Sequence, residues 1–272
     1  VIDGQQRLTA ILKFFTNDYA LTGIDVLKEL EGSFYRDLPP FLIRRLEERT
    51  IKCLRIDSTI DDQVKYDIFE RLNSGSVKLE AQELRNAVSR GPFNDLIKEL
   101  ALDINFRVLL QIDPDDPESN NKVKKMEDVE LVLRFFALLT LDFESLNKGF
   151  KKFLDDEMKR MNGRSPAEYE NMIKVFRVTM ATIRKHFGDQ AFAKYRFDEE
   201  KNIFILMSKH NAAVYDALAI PVAKCIDLEH PTIKESAVAA FRELFKNPVF
   251  FDALSGSVND RQKVENRINA SL

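Results

Sequence analysis

The chain has 272 residues, of which 44% are hydrophobic and 31% charged, with a formal net charge of −3. A chain of this length buries a sizeable core, which sets disorder aside, and its charge balance excludes a surface that neutralises phosphates over its whole area; any basic face must be local. No apolar run reaches the length of a membrane span, no signal peptide opens the chain, and Cys53 and Cys225 read as reduced, buried thiols of a cytoplasmic protein.

In chain order, Val1 and Ile2 read as the end of a strand whose earlier residues are missing. A helix follows, with Asp3 as N-cap, Gln6 three residues on as in a capping box, and Leu8, Ile11, Leu12 and Phe15 as one apolar stripe. Residues 17–37 are mixed, with turns at Gly23 and Gly32. Pro39 and Pro40 open a short helix that ends near Glu48. Thr50–Ile56 alternates and is β-prone, predicting a strand. A helix from Asp61, with Val64, Ile68, Phe69 and Leu72 on one face, stops at the turn cluster Asn73–Ser76, and another covers Glu80–Ser89.

From Pro92 the pattern is helical, over 92–101, 124–141, 147–161, 166–187, 202–226, 231–246 and 258–270. Asp113–Asn121, with two prolines and four acids, reads as an exposed loop or a boundary. The fold class is therefore α+β, predominantly α: a small α/β front over 1–90 and a helical domain over 91–272. Twenty-one Phe and no Trp predict a core of Phe and aliphatic side chains.

Two stretches concentrate polar chemistry. Asp3-Gly4-Gln5-Gln6-Arg7 is a strand-to-helix turn, and a helix N-terminus favours an anion. Arg7 can pair with phosphate, Gln5 and Gln6 can orient a ligand or water, and Asp3 can hold Mg²⁺ or act as a base. These are parts suited to phosphoryl transfer, where positioning and charge neutralisation dominate. The same residues also make an ordinary cap, with Gln5 and Arg7 in solvent. The second stretch, Phe69-Glu70-Arg71-Leu72-Asn73-Ser74-Gly75, offers Arg71 and Asn73 beside a glycine turn, or else a plain helix C-cap. In the following helix Arg85 and Asn86 are weaker candidates.

Other chemistries find little support. His186, His210 and His230 occur in helical contexts without the partners of a metal-dependent nuclease. No phosphate-binding GxxxxGK[ST] loop and no zinc spacing is present. The basic clusters Lys122/Lys124/Lys125, Lys148/Lys151/Lys152 and Lys159/Arg160/Arg164 stand beside acids, as a solvated face does.

DGQQRLTAI followed by FERLNSGSVKLEAQELRNAV resembles the N-terminal domain family of GmrSD-type restriction endonucleases. Met126–Phe135, Ser255–Ser257 and Val264–Ile268 resemble parts of its longer members. The resemblance implies a ParB/sulfiredoxin-like front domain, lacking here its upstream strands and a further polar motif, so that the chain reads as N-terminally truncated. It implies a nucleoside triphosphate as substrate, Mg²⁺ as cofactor and action on DNA, modified DNA included. Asp3, Gln6 and Arg7 become the catalytic candidates, with Asp3 as metal ligand, and Gly4, Gln5, Arg7, Arg71 and Asn73 the nucleotide-binding ones. A nuclease domain or subunit is the implied partner. The alternatives are a sensor that binds nucleotide or DNA without turnover, and a purely structural or toxin–antitoxin partner.

Overall fold

The computed structural model describes residues 4–53, 55, 60, 64, 68 and 80–272. The chain divides into two compact units, residues 1–78 and 79–272. It is predominantly helical, and the sheet among the described residues is a single antiparallel pair of strands.

In the first unit α1 spans Gln5–Phe15 and α2 spans Pro40–Glu47. The chain between them is held by two 3₁₀ turns, Lys28–Leu30 and Tyr35–Asp37. Phe14, Leu30 and Leu38 form a small core with Leu21, Ile24, Tyr35, Leu42 and Ile43. The Phe14 ring lies 5.9 Å from Tyr19 and meets the Tyr35 ring edge-on at 5.9 Å. The Glu31 carboxylate closes the Gly23 turn by accepting the backbone N–H groups of Gly23 and Ile24 at 2.9 Å each; those bonds lower its pKa from the ordinary value.

Two expectations for this front fail. The described residues of the β-prone run from Thr50 form no strand: Ile51, Lys52, Cys53 and Arg55 are exposed and lie outside any ladder, while Leu54 and Ile56 lie outside the described residues. β-propensity is realised only where a neighbouring strand and a packed face are available. The apolar stripe of α1 is not buried either. Leu8, Ile11, Leu12 and Phe15 remain accessible, because the core of this unit gathers on Phe14 instead. Val64 and Ile68 have helical backbone, as expected; the turn at 73–76 lies outside the described residues.

The second unit begins with α3 (Ala81–Val88), α4 (Pro92–Leu100) and α5 (Ile104–Leu109). After the loop from Asp113, which here is an exposed excursion inside the unit, come α6 (Asn121–Lys124) and α7 (Glu127–Leu139). Next are α8 (Phe150–Met161) and the long α9 (Pro166–Phe187). The start of α9 follows from its sequence. Ser165 and Glu168 exchange capping hydrogen bonds and Pro166 occupies the first turn. The Ser165 N–H and then Arg164 hold the Glu168 carboxyl down at about 2.

A single helix over 202–226 is not what forms. β1 (Lys194–Asp198) and β2 (Ile203–Ser208) make a hairpin, and α10 begins only at Ala212 and runs to Cys225. Asn211 starts that helix by accepting the N–H groups of Ala213 and Val214. The run Ile203–Met207 is apolar and partly β-branched, which suits a strand better than the helical reading allowed. The chain closes with α11 (Glu235–Glu243), α12 (Pro248–Ala253) and α13 (Arg261–Ser271).

The main core is a stack of aromatic rings on α4, α5, α7, α9 and α10. Phe135 meets Phe136 at 5.1 Å and Phe176 at 5.2 Å, Phe106 meets Phe176 at 5.2 Å, and Phe192 meets Tyr215 at 4.9 Å, each close to edge-on. Such geometry suits the ring quadrupole, and it explains why so Phe-rich a chain packs without Trp. The α4 entry is tight. A Cβ on Gly91 would stand 2.4 Å from Asn162 Oδ1, and that oxygen is fixed by accepting the Phe93 N–H.

Both cysteines are free thiols, as expected, but both are exposed rather than buried. Among the described residues no helix is long and apolar enough to cross a membrane.

Candidate functional site

The first turn of α1 carries the sequence-predicted site. Gly4, not Asp3, is the N-cap residue, with φ 88° and ψ 5°, and no side chain caps the helix. The expected capping box is therefore not what starts α1. A left-handed backbone is easy for glycine and costly for other residues, and the first intrahelical bond, Leu8 N–H to Gly4 O, is 2.8 Å. Glycine has a second use here. The Arg7 guanidinium folds back toward the cap, so that a Cβ on Gly4 would lie 3.5 Å from Nη2 and 3.8 Å from Cζ and Nε. Gln6 and Arg7 are exposed.

The turn thus brings together a bare backbone, the positive end of a helix dipole and a guanidinium. First-turn amides have no intrahelical acceptor, so this end of α1 suits a phosphate or carboxylate. No acidic residue stands in the first turn. What the described residues offer is anion binding, and the carboxylate that would meet a metal is Asp3, which lies outside them. Gln5 opens the helix. Arg71 and Asn73 also lie outside the described residues. Among these residues no group of three His, Cys, Asp or Glu side chains could hold a metal ion.

The helix expected to carry Arg85 and Asn86 is built into the second unit. Arg85 is 2% exposed; its Nε donates to Asp155 at 2.7 Å and its Nη1 to Glu130 at 2.7 Å and to Gln82 at 3.2 Å. Asn86 accepts from the Asn94 amide at 3.0 Å. These two side chains hold α3 onto α4, α7 and α8; Arg85 is buried away from any ligand, and Asn86 is partly buried.

A larger ionic cluster escaped sequence reading. Asp216, fully buried on α10, accepts Arg134 Nε at 2.6 Å and Nη2 at 2.5 Å, and Arg267 Nη2 at 2.6 Å and Nε at 3.1 Å. Asn259 takes Arg134 Nη1 at 3.0 Å, the Phe150 ring lies 4.3 Å below that guanidinium, and the Val258 carbonyl accepts Arg267 Nη1. Burial lowers the Arg267 pKa from its ordinary value, and Asp216 opposes the shift. Met126–Phe135 and Val264–Ile268 therefore converge on one carboxylate. Ser255 between them is held by Lys194 at 2.6 Å. The signal that could have revealed the cluster is the lone acid in the apolar run AAVYDALAIPVA.

The basic clusters behave as a solvated face. Lys125 pairs with Glu80, Lys152 with Asp156, Arg160 with Glu157 and Arg164 with Glu168. Arg160 and Arg164 also flank a groove of about 380 Å³ floored by Phe136, Leu139, Met161 and Met172.

His210 is held neutral. Burial first, then Lys122, lower its pKa to about 4, against a small opposing effect of Asp216. The unfolded chain takes up this proton near the ordinary value of about 6.5, so between those two pH values the unfolded state binds more protons and stability rises with pH. Urea unfolding should lose up to about 3 kcal/mol of stability as pH falls through that window, less in His210→Gln. Identical pH slopes for the two proteins would show that His210 is not the titrating group.

Residues 1–89 match the family model described as the GmrSD restriction endonuclease N-terminal domain, so the front of the chain is similar to this domain. The match takes in both DGQQR and the second motif and ends within one residue of α3. It stops short of 126–135, 255–257 and 264–268. No curated protein and no solved structure matches the chain.

Proposed function

We propose that this chain is a nucleoside-triphosphate-hydrolysing module of a prokaryotic anti-phage restriction system acting on DNA, modified DNA in particular. The observation that carries the reading is the DGQQR turn inside the matched domain: Gly4 left-handed, Arg7 folded back over it, and a helix N-terminus behind them. In this reading Arg7 and the amides around Gly4 bind phosphate, and Gln5 and Gln6 place the terminal phosphate and the attacking water. Asp3 is the carboxylate that would meet the Mg²⁺ brought by the triphosphate. Arg71 and Asn73 of the second motif complete the nucleotide contacts. The front domain is ParB-like, hydrolysis gates a nuclease domain or subunit, and the protein works in the cytoplasm.

The test is phosphate release from ATP and GTP with Mg²⁺, with and without DNA, alongside binding of a fluorescent nucleotide. Arg7→Ala should lower release by about 100-fold or more, the usual loss when one preorganised charge-stabilising donor is removed. Arg7→Lys should recover part of it. Nucleotide binding without release would make the module a sensor that regulates a partner nuclease. If nucleotide does not bind at all, the DGQQR turn is only a helix start.

A further inference from the structure

Four cations grip one loop, residues 252–260, from the protein side. Lys194 Nζ donates to Leu254 O at 2.8 Å and to Ser255 Oγ at 2.6 Å. Lys263 Nζ donates to Ser255 O at 2.8 Å and to Asp252 O at 3.1 Å, and it reaches the Asp252 carboxylate at 3.2 Å. Arg267 Nη1 donates to Val258 O and, at 3.4 Å, to Ala253 O. Arg134 Nη1 donates to Asn259 Oδ1 at 3.0 Å.

The charges in this cluster do not balance. Arg134 and Arg267 share the buried Asp216, and Lys263 pairs with Asp252. Lys194 is only 8% exposed and has no carboxylate partner among the described residues. Burial first, and then the neighbouring Lys263, lower its pKa. Asp260, exposed at the end of the loop, adds one acid more and still leaves an excess of positive charge. A nearly buried lysine without a counter-charge is uncommon, and such an excess favours an anion close by.

The peptide units of the loop carry that charge outward. A trans peptide points its N–H away from its C=O. Ser255 O on Lys263 therefore turns the Gly256 N–H out, and Val258 O on Arg267 does the same for Asn259. A carbonyl bound by a cation polarises its own unit and strengthens that N–H as a donor. Gly256 is left-handed at φ 64°, and such a turn sets successive N–H groups on one side. The Lys263 ammonium stands 3.7 Å from where a Cβ on Gly256 would be. Among the described residues nothing accepts the N–H groups of Gly256, Ser257 or Asn259, and all three residues are exposed. We propose that this loop binds one phosphate group. The amides of Gly256 and Ser257 and the Ser257 hydroxyl contact its oxygens, and the cations behind the loop supply the field. Several diverging oxygens on one centre match several donors on one turn. Free phosphate and the backbone of DNA both carry this group, and the site does not depend on the DGQQR reading.

Inorganic phosphate, titrated into the full chain at constant ionic strength, is the first probe. Nitrogen-15 spectra should show the Gly256 and Ser257 amides shifting to saturation with a Kd of about 1 mM, as suits a few contacts on an exposed loop. Ser257→Asp, at an exposed position, should weaken binding by about tenfold or more by placing like charge in the site, with circular dichroism unchanged. Ser257→Ala should keep most of the binding, because the backbone donors remain. A short DNA duplex is the second probe. If it moves the same amides, and Ser257→Asp weakens the effect, the phosphate is one of a DNA backbone. If only inorganic phosphate moves them, the ligand is a free phosphate. Amides that respond to neither probe overturn the site, as does a Ser257→Asp chain that binds like the native one.

Discussion

Asp216→Ala should cost the second unit most of its stability. The substitution leaves Arg134 and Arg267, 4% and 0% exposed, with no counter-charge. Removing one partner of a buried ion pair typically costs about 3–5 kcal/mol, and here one carboxylate serves two guanidiniums. The total stability of a domain is only about 5–15 kcal/mol, so urea unfolding should shift to far lower denaturant or lose cooperativity. The interaction should be strongly non-additive. Arg267→Met in the Asp216→Ala background should cost less than in the native protein, because it removes an already orphaned charge. An Asp216→Ala protein that unfolds at the native midpoint would mean that the carbonyls and the Phe150 ring alone hold both cations.

The second large effect is expected at Arg85. Arg85→Met keeps the bulk of the side chain but leaves Glu130 and Asp155 without the cation that joins them. Both carboxylates keep some contact with water, at 33% and 21% side-chain exposure, so the cost should lie near the lower end of the range, about 3 kcal/mol. Glu130→Gln and Asp155→Asn added together should restore part of it by removing the repulsion. Native-state hydrogen exchange gives the local reading: amides of Ala81–Val88 should lose protection before those of α7. Should α3 and α7 open together, Arg85 would be holding the whole unit rather than one helix.

How legible these features were follows from the range of the interactions that make them. The α9 helix could be read residue by residue, since Ser165, Pro166 and Glu168 act within one turn. The Phe-rich core was visible in composition alone. The hairpin was not. KYRFD and IFILMS each lack a local stop, and only their pairing with each other and the docking of Tyr195 on Phe245 decide for strand. The opposite error at Thr50–Ile56 has the same origin, a β-prone run whose described residues have no strand partner. At the site, the type of chemistry and the place of Gly4 and Arg7 could be argued from the sequence, but which residue caps α1 could not. Asp and Gly compete for that position, and the left-handed backbone decides for Gly4. Arg85 shows the converse: a polar residue beside a motif reads as a ligand contact until its acids, 45 and 70 residues away, come into view.

The Asp216 cluster also sets the order in which the second unit can be completed during synthesis. Its members come from α7, α10 and α13, and the bonds from Asp216 span 82 residues back to Arg134 and 51 forward to Arg267. Val264 and Ile268, fully buried beside Arg267, belong to the same late helix. At about 5–20 residues per second on the ribosome, Arg134 and Asp216 wait several seconds for α13 to emerge. Until then the side of the core that Val264 and Ile268 cover is open. Completion of this unit therefore waits on the arrival of a single arginine late in its sequence.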